Sequence, residues 1–325
     1  MKWHPRVPFF IAFIFCNAIL STYLIKLGRI VNITVVGPGA VGSLWAIKLH
    51  QAGHNVSVWS RSTQTDYLIS LDDQAEVRFD NNNQTKLADS DLILITVKAW
   101  QVESAILPLI PHIDKDTILL FMHNGMGAVD NIASHIEPFP VVLATTTQAA
   151  YKSSPTQVHH TGLGNTQLGG YNNHGNHCIF LVDVLNHALP DVVWNSNIHQ
   201  ALWDKLAVNC AINPLTGLEQ VKNGQLAEEK YQAIVNDIVA EVVEVMTAEN
   251  LPTSIESLSS IVQQVIQATA ANNSSMKQDM FYQRKTEIDF ITGHLLNTAR
   301  KHGIATPANQ ALFDRVKQQE VLWHE

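Results

Sequence analysis

Lys205, Asn209 and Asn213 stand four residues apart in the mostly apolar run Leu202-Trp203-Asp204-Lys205-Leu206-Ala207-Val208-Asn209-Cys210-Ala211-Ile212-Asn213-Pro214. At that spacing they share one helix face, provided the helix reaches Asn213. The carboxamides could both donate to and accept from a polar small molecule. Buried without partners, each of these groups would cost folding free energy. They therefore face either solvent, as an ordinary polar stripe, or a ligand. Pro214 and Thr216-Gly217 mark the expected end of the helix.

Other segments carry groups of the same kind. In Asn272-Asn273-Ser274-Ser275-Met276-Lys277-Gln278-Asp279, Ser275 and Gln278 have capping-box spacing, which is a sufficient structural reason for the serine. The Ser275 hydroxyl could also meet a substrate carboxylate. Thr286-Glu287-Ile288-Asp289 is expected on a helix, with one acid turned inward beside Phe290 and Ile291. A solvated Glu287 is the rival on spacing alone. Lys98 and Asn124 each follow an apolar strand run, where open α/β sheets bind their ligands. Either could instead be a turn residue, Asn124 especially, because Gly125 follows it.

The elements that must position these groups begin at Asn32–Val36, an apolar strand run leading into Gly37-Pro38-Gly39-Ala40-Val41-Gly42 and then a helix from Ser43 to Gln51, closed by Gly53. Strand, glycine loop and helix in this order form a dinucleotide fingerprint. Gly37 makes the turn, Gly39 admits a pyrophosphate and Gly42 lets the helix pack closely on the sheet. The helix N-terminus offers unpaired N–H groups to the phosphates. An enzyme selecting NAD usually carries an acid at the end of the second strand, here Asn55–Trp59. This chain has Ser60-Arg61-Ser62 there and no carboxylate before Asp66. The Arg61 guanidinium suits the 2′-phosphate of NADP.

Further strands are expected at Val56–Trp59, Leu92–Val97, Thr117–Phe121 and Val141–Thr145, and Thr156–Gly170 reads as antiparallel strands closing the domain. Runs such as Leu92-Ile93-Leu94-Ile95 indicate strands buried on both faces of a parallel sheet. From about Asn197 the pattern is helical: Ile198–Ala211, Leu226–Asn250, Ile255–Thr269 and Gln278–His302. The fold class is α/β, with a Rossmann-type parallel-sheet domain over residues 31–196 and an all-α domain over 197–325.

The chain has 325 residues, 46% hydrophobic and 15% charged, and a net charge of −8 without a long basic run. That fits a globular protein and argues against nucleic acid as a partner. Cys16, Cys178 and Cys210 are too widely spaced for a metal knuckle or a disulfide framework. Residues 1–30 form an apolar extension. Phe9–Ile25 within it is uncharged and at the lower limit for a membrane span, and it also resembles a signal-peptide core. The preferred reading is a start assigned upstream of the native one, with Val31 as the start.

Taken together the motifs resemble the 2-dehydropantoate 2-reductase (ketopantoate reductase) family. The resemblance runs from Val31 to about Val321. It rests on the glycine loop, Val97-Lys98-Ala99-Trp100-Gln101, His123-Asn124-Gly125-Met126-Gly127, Thr145-Thr146-Thr147 and Leu206-Ala207-Val208-Asn209-Cys210. It continues through Ile212-Asn213-Pro214-Leu215-Thr216, Asn223-Gly224, Ser274-Ser275-Met276 with Gln278-Asp279, Thr286-Glu287-Ile288-Asp289 and His302-Gly303-Ile304. The family normally lacks the apolar extension.

The resemblance implies NADPH-dependent reduction of 2-dehydropantoate to (R)-pantoate, a step of pantothenate synthesis. Lys205 would be the proton donor. Glu287 would hold the substrate hydroxyl or the cofactor side. Asn209, Asn213 and Asn223 would position the substrate, and Ser275 would bind its carboxylate. The glycine loop (Gly37, Pro38, Gly39, Ala40, Val41, Gly42) would hold NADPH together with Arg61, Lys98, Asn124 and Ala150. No metal is required. The expected enzyme is cytoplasmic, a monomer or homodimer, with a small 2-keto acid as its partner and no membrane contact unless residues 9–25 are an anchor. The alternatives are a reductase of another 2-keto or 3-hydroxy acid on the same plan and a non-catalytic NADP-binding module, for which a proton donor would have no use.

Overall fold

The computed structural model describes residues 30–323, so the apolar run Phe9–Ile25 lies outside the described residues. Contacts divide the chain into two compact units. Among the described residues, one comprises those up to Thr96 with Pro111–Phe121 and Glu137–Ser196. The other comprises Val97–Ile110, Met122–Ile136 and the described residues from Asn197 onward.

The first unit is built on a seven-stranded sheet of order β11-β10-β7-β6-β5-β1-β2. Its strands are β1 (Asn32–Val36), β2 (Asn55–Trp59), β5 (Leu92–Ile95), β6 (Ile118–Phe121), β7 (Val141–Thr146), β10 (Thr166–Gly170) and β11 (Val192–Trp194). β2, β1, β5, β6 and β7 are parallel, while β10 runs antiparallel to β7. All four residues of β5 and all four of β6 are buried, as their unbroken apolar runs require of strands covered on both faces. Helix α1 (Ala40–Gln51) follows β1 and ends before Gly53, whose φ of +91° suits only glycine readily, and α2 (Leu181–Ala188) packs against it.

A second sheet, β4-β3-β9-β8, was not anticipated from the sequence. It consists of β3 (Asp66–Leu71), β4 (Val77–Asp80), β8 (Ala149–Lys152) and β9 (Gln157–Gly162), and β3, β8 and β9 pack against α1. Its strands are short and come from distant segments, with β3 parallel to β9 and β8 antiparallel to it. Thr156–Gly170 does hold two strands with antiparallel neighbours, but β9 pairs with β8 and β10 with β7, so the two enter different sheets rather than pairing with each other.

The second unit is helical. Its α3 (Ile198–Glu219), α4 (Glu229–Ala248), α5 (Ile255–Ala268), α6 (Ser275–Phe281), α7 (Thr292–His302) and α8 (Pro307–Leu322) share one apolar core. Two expectations are corrected here. Helix α3 does not stop near Pro214 but continues to Glu219, because every residue from Cys210 to Gly217 is buried and that packing outweighs the proline's cost of about 3 kcal/mol. The expected helix Gln278–His302 is broken between Phe281 and Thr292, where Gln283 turns with φ +50° and Ile288–Phe290 forms only a 3-10 turn. Among the described residues no helix is long and apolar enough to cross a membrane.

The glycine loop can be tested by contrasting two positions. A Cβ on Gly42 would lie 2.3 Å from Thr96 Oγ1 and 2.5 Å from the Gly37 carbonyl oxygen, whereas one on Gly39 would meet only that same oxygen, at 3.9 Å. Gly42→Ala is expected to cost about 1–3 kcal/mol in denaturant unfolding by overpacking. Gly39→Ala should leave the unliganded stability nearly unchanged.

Candidate active site

In the first unit, the glycine loop closes on itself before α1 begins. The Gly37 N–H donates to the Trp59 carbonyl at 2.9 Å, and the Gly39 N–H donates back to the Gly37 carbonyl at 2.7 Å. Just past the end of β5, the Thr96 hydroxyl donates to that same carbonyl at 2.8 Å. Gly39 caps α1 with no side chain, is exposed, and leaves room where a Cβ would make only ordinary contact with the Gly37 carbonyl oxygen. An unobstructed loop leading into a helix N-terminus suits a pyrophosphate. Arg61 is exposed just beyond β2, and Ala150 lies on β8.

In the second unit the polar residues converge on one carboxylate. Glu287 has only 3% of its surface exposed. Its Oε1 accepts the Ala99 N–H at 3.0 Å, and its Oε2 accepts from Asn124 Nδ2 at 3.2 Å and Lys98 Nζ at 3.4 Å. Lys98 also donates to Asp279 Oδ2 at 2.7 Å. Burial alone would lower the Lys98 pKa, but the Glu287 and Asp279 carboxylates outweigh it and hold the ammonium above its ordinary value. Glu287 is therefore turned inward. It sits not on the expected helix but at the start of the 3-10 turn, where the broken chain lets its side chain leave the helical register.

The Glu287 loop is pinned from both sides. The Thr286 N–H and hydroxyl both donate to Glu320 Oε1 on α8, at 2.8 and 2.7 Å. Lys317 bridges Glu320 Oε2 at 3.0 Å and Asp289 Oδ2 at 2.9 Å. The Met126 N–H donates to the Phe290 carbonyl at 2.8 Å. Gly125 must be glycine here: its φ is +78°, and a Cβ would lie 2.4 Å from the Phe290 carbonyl oxygen.

Lys205 lies on α3, and burial pushes its ammonium down to about 8, with the Glu287 carboxylate opposing the fall. Burial pushes the His123 pKa down and the charge on Lys205 adds to this, against the opposing pull of the Asn124 carbonyl and the Glu287 carboxylate; its Nδ1–H donates to the Asn124 carbonyl at 3.1 Å. Asn209 and Asn213 follow Lys205 at successive helical turns, Asn213 buried and Asn209 partly so. Asn223 is buried; its Nδ2 donates to Thr269 Oγ1 at 2.9 Å, and its Oδ1 has no partner. A buried carbonyl oxygen without a donor is the kind of group a bound ligand satisfies. The cap of α6 is Ser274, not Ser275. The Ser274 hydroxyl accepts the Lys277 N–H at 3.0 Å and pairs with Thr216 Oγ1 at 2.7 Å. Ser275, half-buried in the first turn, is thereby relieved of the capping duty.

Sequence reasoning missed Asp279 and Glu320. Asp279 was legible only as part of a motif, and Glu320 had no local signal at all, since its partner Thr286 is 34 residues away.

Comparisons with known proteins bear on this arrangement. The family model for ketopantoate reductase PanE/ApbA matches residues 33–173, and that for the C-terminal part of ketopantoate reductase PanE/ApbA matches residues 197–320. The 2-dehydropantoate 2-reductase of Vibrio cholerae is 55% identical over 292 residues, which cover 90% of this chain and 99% of that protein. Among solved structures, a PanE/ApbA family ketopantoate reductase from Ralstonia eutropha aligns with a TM-score of 0.81 at 26% identity, covering 90% of this chain and 99% of that one. D-mandelate dehydrogenase in a ternary structure with NADH and anilino(oxo)acetate aligns with a TM-score of 0.82 at 25% identity and the same coverage. Matched in both parts by the family models and over nine-tenths of its length by a named relative, the chain belongs to the ketopantoate reductase family.

Proposed function

We propose that this chain reduces 2-dehydropantoate to (R)-pantoate with NADPH, and that Lys205 is the proton donor. The observation that carries the reading is the contrast between the two lysines near Glu287. Lys98 is locked as a cation by two carboxylates, whereas burial leaves Lys205 with a pKa of about 8. A group poised near neutrality is suited to give up a proton. The 55% identity to the Vibrio cholerae reductase supports the choice of substrate.

Bound NADPH would supply hydride chemistry at the 2-keto carbon. As that carbon–oxygen double bond becomes single, charge gathers on the oxygen. The Lys205 ammonium stabilises this charge and passes it a proton, which leaves a neutral amine to be reprotonated from solvent. Asn209, Asn213 and Asn223 hold the substrate's polar groups, Asn223 through its unsatisfied Oδ1. The Ser275 hydroxyl donates to the substrate carboxylate. Glu287 keeps Lys205 from losing its proton too early. The residues that would hold the cofactor are the Gly37–Gly42 loop for the pyrophosphate, Arg61 for the 2′-phosphate, and Lys98, Asn124 and Ala150. The buried free thiols of Cys178 and Cys210, together with the use of NADPH, suit a cytoplasmic enzyme, acting as a monomer or homodimer.

The direct test follows NADPH oxidation at 340 nm with 2-dehydropantoate and other 2-keto acids in parallel. Consumption with 2-dehydropantoate alone is expected, and turnover only with another keto acid would reassign the substrate. Lys205→Ala should lower kcat by about 100-fold or more while the NADPH Kd stays nearly constant. Because the donor must carry its proton, turnover should be retained below a pH of about 8 and fall above it. Arg61→Ala should weaken NADPH much more than NADH, and equal losses would remove Arg61 from 2′-phosphate recognition.

A further inference from the structure

Lys152, at the end of β8, is a partly buried cation in the nucleotide-binding unit. Its Nζ donates to the Pro38 carbonyl at 3.1 Å and lies 3.2 Å from the Tyr67 hydroxyl. That hydroxyl donates to the same carbonyl at 3.3 Å, and Ser43 Oγ does so at 3.0 Å. The ammonium also sits over the Tyr67 ring, 5.3 Å from its centroid. Burial alone accounts for a pKa pushed down to about 8, and it raises that of the Tyr67 phenol. No carboxylate among the described residues pairs with Lys152. It differs in this from Lys98, whose charge two acids compensate.

An ammonium partly withdrawn from water without an anion is unfavourable unless something repays the hydration it loses. A carbonyl and a phenol repay it in part. The carbonyl is that of the second residue in Gly37-Pro38-Gly39, immediately before the exposed Gly39 and the N-terminus of α1. Among the described residues the hydrogen bonds of Lys152 go to Pro38 and Tyr67 and not to Ser60-Arg61-Ser62, where a 2′-phosphate would be read. We infer that Lys152 is a further cofactor-binding residue, whose ammonium meets the pyrophosphate of the dinucleotide seated on the glycine loop. This rests on the NADPH reading above. The second sheet then has a functional reason to exist: β8 carries the cation to the loop, and β3 supplies the tyrosine that aims it.

Calorimetric titration of the full chain with NADPH and with NADH tests this for the unaltered protein, Lys152→Met and Lys152→Arg. Since both nucleotides carry the pyrophosphate, Lys152→Met should weaken both by the same factor, about tenfold, and Lys152→Arg should recover most of the loss. The unliganded Lys152→Met protein should melt no lower than the unaltered one. Unchanged affinities overturn the inference. A loss confined to NADPH overturns it too, by moving Lys152 to the 2′-phosphate. A lowered melting temperature with an affinity loss that Lys152→Arg does not recover makes the residue merely structural. If the unaltered protein binds neither nucleotide, the cofactor reading itself falls and the inference falls with it.

Discussion

A carboxylate buried as deeply as Glu287 is tolerable only if donors surround it, and that requirement organises the helical unit. Its donors come from Lys98, Ala99 and Asn124, and each of the two donor segments follows a strand of the parallel sheet. Its backbone is fixed by Thr286 and Glu320, and by the close approach of Gly125 to Phe290. Removing any one of these leaves buried polar groups without partners, each worth about 1–3 kcal/mol. The cluster is therefore a structural constraint as well as a chemical one.

The same carboxylate treats two lysines unequally, which is the basis of the chemistry proposed for the site. Lys98 touches it directly and gains a second acid in Asp279, so it stays charged. Lys205 feels it more weakly than it feels burial. One lysine thus acts as a fixed cation while the other is left able to exchange a proton. Desolvation and charge pairing act in opposite directions, and position decides which wins for each side chain.

Much of this was legible from local sequence. The glycine loop, the buried strands and the four-residue spacing of Lys205, Asn209 and Asn213 obey short-range rules, and α3 does carry all three on one helix. The misreadings share a cause. Pro214 looked like a helix end, but long-range packing around α3 outweighed its local cost. Glu287 looked helical because the break at 282–291 has no proline or glycine to announce it before Gly293. The second sheet is held by pairings such as Ser70 with Gln157 and Leu71 with Val158, which no local pattern reveals. The Ser274–Thr216 bond, 58 residues apart in sequence, moved the cap by one residue.

The unequal protonation of the two lysines is the central claim, and it can be measured without turnover. NMR titration of the lysine ε-carbons in the full chain, assigned with Lys98→Arg and Lys205→Arg, reads each ammonium separately. Lys205 should titrate near a pH of about 8, and Lys98 above the ordinary lysine range. If Lys205 instead titrates together with the exposed lysines, it is not poised as a proton donor, and the role proposed for it fails.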